Sequence, residues 1–351
     1  TYFKGVSIKP GRPIMLSKFK RKEKLFFGLP GNPISCAAGF RFFVYPLIRK
    51  SLGMKIENKF PTKDISDEDI KTKFPLVAKK NASHKSKFAI ANVEFGGDLI
   101  PVFAGPNMVE SEKLILDCAK NVKSSGAHFL RGGAFKPLTF PYRSEKYTET
   151  KEKGIKWLLK AKKEVGIPII TEVMEEKYLE LVSEVTDIIQ IGSRNMQNFP
   201  FLTACAKIQK PIMLKRHYGS SLRDWLGAAE YLLVEGNQKV ILCERGVSVP
   251  HTHRATSRFL LDLQVVPAAQ EITHLPIVVD PSHATFWRPW VASMALASVA
   301  AGSDGIMLEV HPDPKNSAVD PLQPIDFKEF DDLIKKMDNI AKSIGKRHIL
   351  K

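Results

Sequence analysis

From about residue 99 onward the chain alternates between two kinds of segment. Short apolar runs recur at 99–104, 128–130, 167–171, 187–191, 211–214, 239–243, 276–279 and 305–308, each bounded by a turn signal. Between them lie stretches with apolar residues at helical spacing, clearest at 110–124, 149–165, 221–234 and 289–301. Runs of strand length alternating with helices predict parallel βαβ units. Eight such units over about 250 residues predict a (β/α)8 TIM barrel. An open doubly wound sheet is the runner-up. It usually needs fewer strands, and no G-x-G-x-x-G turn follows the first run.

Upstream the pattern differs. Residues 1–60 hold F-K-G-V-S-I-K-P-G-R-P, then F-G-L-P-G-N-P-I-S, then an amphipathic stretch from 36 to 52 that Asn32 or Ser35 could cap. Residues 61–95 are polar and poor in periodicity. The expected organisation is a small partial α/β fragment at 1–56, a linker at 57–75 and a barrel at 76–351. The first residue is Thr1 and no signal-peptide core follows, so the chain reads as a piece of something longer.

Composition narrows the function classes. The chain has 351 residues with 44% hydrophobic content, ordinary for a globular protein. It has no uninterrupted apolar run of about 18 residues, so no membrane span is expected. Cys36, Cys118, Cys205 and Cys243 form no C-x-x-C pair, which argues against a zinc ribbon and for a reducing, cytoplasmic location. Fifty-three Lys and Arg against 37 Asp and Glu leave a net charge of +16. The cations are scattered, without an aromatic-interleaved basic motif, so an anionic substrate is expected rather than nucleic acid.

The chemistry collects just after the apolar runs. In order these positions carry Asn107; Arg131 and Lys136; Glu172; Arg194; Lys215, Arg216 and His217; Glu244 and Arg245; Asp280 and His283; then Glu309 and His311, with Asp320 close behind. A parallel barrel gathers its strand ends on one rim, where enzymes of this fold keep their active sites. A single charged strand end is usually just solvated, but a full ring of them is not. Arg131, Lys136, Arg194, Lys215 and Arg245 would make a dense positive mouth, which needs anionic company. A substrate rich in phosphate and carboxylate is therefore expected. His283, Glu309 and Asp320 form a candidate N/O ligand set for a divalent metal.

From about residue 75 to 345 the chain resembles the 3-deoxy-7-phosphoheptulonate (DAHP) synthases of the short microbial type. A-G-P-N-M-V-E-S, L-R-G-G-A-F-K-P, I-I-Q-I-G-S-R-N-M-Q-N, M-L-K-R, V-I-L-C-E-R-G, V-V-D-P-S-H and I-M-L-E-V-H-P-D-P follow in family order. The resemblance implies a (β/α)8 enzyme that condenses phosphoenolpyruvate with erythrose 4-phosphate, the first step of the shikimate pathway to aromatic amino acids. It implies substrate binding by Arg131, Lys136, Thr139, Arg194, Lys215 and Arg245. Lys136, Asn107 and His283 would be catalytic, and a homo-oligomer is implied. It makes His283, Glu309 and Asp320 three of four metal ligands.

Two departures stand out. The family's fourth ligand is a cysteine, and here Asn107 replaces it. An amide oxygen is a harder, weaker donor than thiolate. Two alternatives stay open: a hard divalent metal such as Mn²⁺, or metal-independent chemistry in which Asn107 orients water or the aldehyde. The second departure is K-P-L-T for K-P-R-T, where Leu138 replaces an arginine that would hold the acceptor's phosphate and Arg143 could compensate. The rival readings are a 3-deoxy-octulosonate 8-phosphate synthase-like enzyme using another aldose phosphate, and a degenerate anion-binding barrel. The octulosonate enzymes usually show K-x-N-R-S-S and D-x-T-H; G-S-R-N and D-P-S-H favour the heptulosonate branch. Residues 1–55 resemble the end of the molybdopterin-binding domain of molybdopterin molybdenumtransferase, a fragment too short to complete a pocket. The regulatory domain that precedes some of these barrels is not seen, so feedback control by aromatic amino acids is not expected.

Overall fold

A computed structural model describes residues 67–135, 149–250, 253–254 and 259–348, and three short strands within the first 66 residues. The chain divides into two compact units, Thr1–Ser66 and Asp67–Lys351. In the first, β1 (Phe3–Lys4), β2 (Met15–Lys18) and β3 (Leu25–Gly28) form an antiparallel sheet in that order.

The second unit opens with α1 (Asp67–Lys73), whose Ile70 is buried in the core. Its first core residue thus falls within the stretch read as linker from sequence. An antiparallel hairpin follows, β4 (Phe88–Ile90) with β5 (Val93–Phe95). Next come β6 (Val102–Gly105), α2 (Glu112–Ser124), β7 (Phe129–Arg131), α3 (Lys151–Val165), β8 (Ile169–Glu172), α4 (Leu179–Val185), β9 (Ile188–Ile191), α5 (Phe199–Lys207) and β10 (Ile212–Lys215). The chain continues through α6 (Leu222–Val234), β11 (Val240–Glu244), α7 (Val265–Ile272), β12 (Ile277–Val279), α8 (Pro281–Thr285), α9 (Arg288–Ala300), β13 (Gly305–Glu309) and α10 (Phe327–Ser343). Strands β6 to β13 pair in parallel, and β13 closes on β6 through the register Met307↔Phe103 and Glu309↔Gly105. The expected (β/α)8 barrel is the observed fold.

The alternation within each strand explains why both faces are apolar. On β6, Val102 and Ala104 pack outward beneath the helices, while Phe103 points into the barrel. On β10, Ile212 and Leu214 face out and Met213 faces in. The interior is a separate cluster of Phe103, Phe129, Ile170, Ile188, Met213, Ile241, Cys243, Val278 and Met307. The hairpin adds Ile90, Val93 and Phe95 to that cluster, and Phe95 lies 6.1 Å from Phe103 and 5.8 Å from Phe129 between ring centres. Helix starts are set locally. Ser221 and Asp224 form a capping box on α6, and Asp326 with Glu329 forms another on α10.

Candidate active site

All eight strands run the same way, so their C-terminal ends share one rim. At the end of β6 the chain turns at Gly105, with φ 146°. A Cβ there would lie 2.2 Å from the Arg131 carbonyl, so only glycine lets β6 and β7 approach this closely. The next segment is pinned to β7's continuation: Gly133 N–H donates to the Asn107 carbonyl at 3.1 Å, and Val109 N–H donates to the Gly133 carbonyl at 2.9 Å. Asn107 is thereby held at the rim, 2% exposed.

Its amide joins two groups. Nδ2 donates to Asp320 Oδ2 at 3.1 Å, and Oδ1 accepts from Arg131 Nη2 at 3.4 Å. Arg131 Nη1 lies 3.0 Å from Glu309 Oε1, and the same oxygen lies 3.0 Å from His283 Nε2. His283 Nδ1 meets Asp280 Oδ2 at 2.7 Å. Asp280 Oδ2 also accepts from Lys215 Nζ at 2.6 Å. A continuous polar chain thus runs from Asp320 through Asn107, Arg131, Glu309, His283 and Asp280 to Lys215.

Asp280 is the hub of one half of this chain. It is fully buried, and its Oδ1 caps α8 by accepting the His283 N–H at 3.1 Å. Burial by itself pushes the carboxyl up, but His283, Lys215 and Arg131 together hold it well below the usual carboxylate range. The D-P-S-H stretch contained this residue; its partnership with Lys215 was not legible. Gly-rich turns and caps likewise gave no warning of the Glu110–His311 contact at 3.2 Å. Glu110 also takes the Ala318 N–H, so it ties the segment leading to Asp320 back to the end of β6.

Arg245 follows β11 and is 91% buried, its guanidinium carbon 4.2 Å from the centre of the Phe259 ring. Among the described residues its buried Nη1 has no hydrogen-bond partner. Burial lowers its pKa, and Arg194 adds to this from an exposed turn after β9. Burial and Arg245 also lower the pKa of His217. Lys136 and Thr139, together with Leu138 and Arg143, lie outside the described residues.

The DAHP synthetase I family matches residues 74–345. The chain belongs to this family. A probable molybdopterin binding domain matches residues 1–50. The phospho-2-dehydro-3-deoxyheptonate aldolase of Thermotoga maritima is 35% identical over 292 residues, covering 83% of this chain and 85% of that protein. The 2-dehydro-3-deoxyphosphooctonate aldolase of Pisum sativum is 31% identical over 275 residues, covering 70% of this chain and 90% of that protein. Among solved structures, a truncated form of the Thermotoga maritima DAHP synthase has 35% identity and a TM-score of 0.71, covering 79% of this chain and all of that one. A second structure of DAHP synthase from Thermotoga maritima has 32% identity and a TM-score of 0.73, covering 96% of this chain and 92% of that one. As a DAHP synthetase I member the chain is an enzyme that forms carbon–carbon bonds.

The family's metal can be tested against the residues present. Asn107, His283, Glu309 and Asp320 offer hard oxygen and imidazole donors. Their arrangement does not fit a cation. Arg131 Nη1 and His283 Nε2 both lie 3.0 Å from Glu309 Oε1, so a guanidinium cation already stands at that oxygen, and the amide nitrogen of Asn107, rather than its oxygen, faces Asp320. Among the described residues no group of three or more His, Cys, Asp or Glu is placed to hold a metal. Among the described cysteines, burial raises the thiol pKa values of Cys118, Cys205 and Cys243, the latter two to about 12.

Proposed function

We propose that this rim performs the DAHP synthase reaction without a metal. The observation that carries the substrate assignment is Arg245. A buried guanidinium nitrogen without a partner is costly, and an anion arriving at the β11 end removes that cost. Phosphoenolpyruvate brings phosphate and carboxylate groups that Arg245, Arg194, Lys215, Arg131 and Lys136 would meet. Arginine suits bidentate contact and lysine supplies a point charge.

The chemistry is a condensation of phosphoenolpyruvate with erythrose 4-phosphate. C3 of phosphoenolpyruvate attacks the aldehyde carbon, forming the new carbon–carbon bond, and the aldehyde oxygen takes a proton. Water then adds at C2, and the C–O bond to phosphate breaks. Lys136 serves as the acid at the aldehyde oxygen, and Thr139 binds substrate. Asn107, fixed between Arg131 and Asp320, orients the aldehyde or the attacking water by hydrogen bonds. His283, held between two carboxylates, relays a proton in this reading. The site functions in the cytoplasm, within a homo-oligomer. Residues 1–56 are read as a partial molybdopterin-binding-like fragment.

The test is phosphate release from phosphoenolpyruvate with a panel of aldose phosphates, before and after exhaustive chelation. Release with erythrose 4-phosphate that survives chelation is expected, and Arg194→Ala should abolish it. Inactivation by chelator that Mn²⁺ reverses would overturn the metal-free reading. Release only with arabinose 5-phosphate would transfer the chain to octulosonate chemistry. No release with any acceptor would sink the synthase assignment.

A further inference from the structure

Next to the two cations Lys215 and Arg245 sits a buried acid–base network that the reaction above leaves without a role. Arg216 is 6% exposed and Glu244 is fully buried. Arg216 Nη1 donates to Glu244 Oε2 at 2.9 Å and to Asp262 Oδ2 at 2.8 Å. Its Nε and Nη2 both donate to the Ser220 carbonyl, at 3.2 and 3.0 Å. Every nitrogen of this guanidinium is therefore engaged by the protein. Despite its place in the L-K-R stretch, Arg216 is committed to the scaffold rather than to substrate.

The other carboxylate oxygen acts on the backbone. Glu244 Oε1 accepts the Gly246 N–H at 2.7 Å, so the side chain folds over the peptide that carries Arg245. Gly246 has φ 97°, and a Cβ there would lie 2.8 Å from Phe259 Cβ and 3.0 Å from Ala284 Cα. Arg245 is thus held twice: its backbone by Glu244, its guanidinium by the Phe259 ring. Burial pushes the Glu244 carboxyl up, and Arg216 with the Gly246 N–H opposes that push.

We infer that Glu244, braced by Arg216 and Asp262, is a positioning residue that aims Arg245 at the anion of the substrate. This rests on the assignment of Arg245 to phosphoenolpyruvate. The bracing matters because Nη1 must meet its anion at hydrogen-bond distance, and a misplacement of about 1 Å can cost about 100-fold in rate.

Steady-state kinetics on Glu244→Gln, Asp262→Asn, Arg245→Ala and the double variant Glu244→Gln/Arg245→Ala tests it. Asp262 is 27% exposed, so Asp262→Asn guards against a Glu244 variant that fails to fold. Glu244→Gln should raise KM for phosphoenolpyruvate roughly 10-fold, the loss of one charge-assisted hydrogen bond. Asp262→Asn should raise it by a smaller factor, and KM for the aldose phosphate should hold in both. In the Arg245→Ala background, Glu244→Gln should add almost nothing, because its effect passes through Arg245. A full-sized added effect there, or an equal rise in both KM values, overturns the inference. So does an Arg245→Ala defect that neither Glu244→Gln nor Asp262→Asn reproduces. Wild-type KM in Arg245→Ala refutes the assignment of Arg245 itself, and the positioning role falls with it.

Discussion

Asp280→Asn isolates the hub of the rim. The change is isosteric and keeps an oxygen to cap α8, but removes the charge that faces Lys215 and His283. At 2.6 Å and an effective dielectric of about 20, the attraction of Lys215 for Asp280 is about 6 kcal/mol. Part of that offsets desolvation of two groups that are 5% and 0% exposed. Removing one partner of such a buried pair costs about 3–5 kcal/mol, since the other charge stays behind. Against a typical stability of about 5–15 kcal/mol the loss is large. Urea denaturation should show it as a lower midpoint for the barrel. The pH dependence supplies a second check. Asp280 has a depressed carboxyl pKa in the fold, so its contribution is present above the ordinary value of 3.8 and is lost as pH falls towards the folded value. The gap between wild type and variant should therefore be full at pH 7 and shrink below about pH 4. A gap under about 1 kcal/mol at pH 7, or one that widens in acid, would refute the reasoning.

Other expectations follow from groups away from that hub. Burial holds His128 neutral, lowering its pKa from 6.5 to about 3, and its Nδ1 accepts the Val102 N–H at 3.0 Å. Its stabilising effect is complete above 6.5 and lost as pH falls from there towards 3, with His274 and His348 acting in the same sense. The melting temperature should drop between pH 7 and 5, with a shallower slope in His128→Asn; a flat profile contradicts this. Gly246→Ala combines a left-handed backbone with the contact to Phe259, so a loss of about 1–3 kcal/mol in denaturation and a raised KM for phosphoenolpyruvate are expected. A variant indistinguishable from wild type would mean that the turn relaxes freely. Asn107→Cys offers a thiolate beside Asp320 and Arg131, and should tighten Mn²⁺ binding in direct titration. Unchanged affinity would mean that the Arg131–Glu309 contact, rather than the amide, excludes the cation.

The barrel was legible because its local rules agree with its global ones. A parallel strand buried on both faces must be a short apolar run, and the helix beneath it must carry an apolar stripe, so eight repeats of that pair leave few other folds. The direction of the strands, once parallel, put Asn107, Arg131, Lys215, Arg245, His283 and Glu309 at one end without further information. The hairpin Phe88–Phe95 escaped notice, since its strands of three residues are too short to declare a period. Their apolar side chains gain meaning only beside Phe103 and Phe129, contributed by other strands. Pairing was likewise a tertiary matter. Whether Lys215 meets substrate or Asp280, whether Arg216 is a substrate cation or a brace for Glu244, and whether Glu309 faces a metal or Arg131 all depend on distances between strands remote in sequence. The order of residues specified which charges reach the rim. Only the closed sheet, which sets neighbouring strand ends a few ångströms apart, decided which of them neutralise one another and which stay open to an anion.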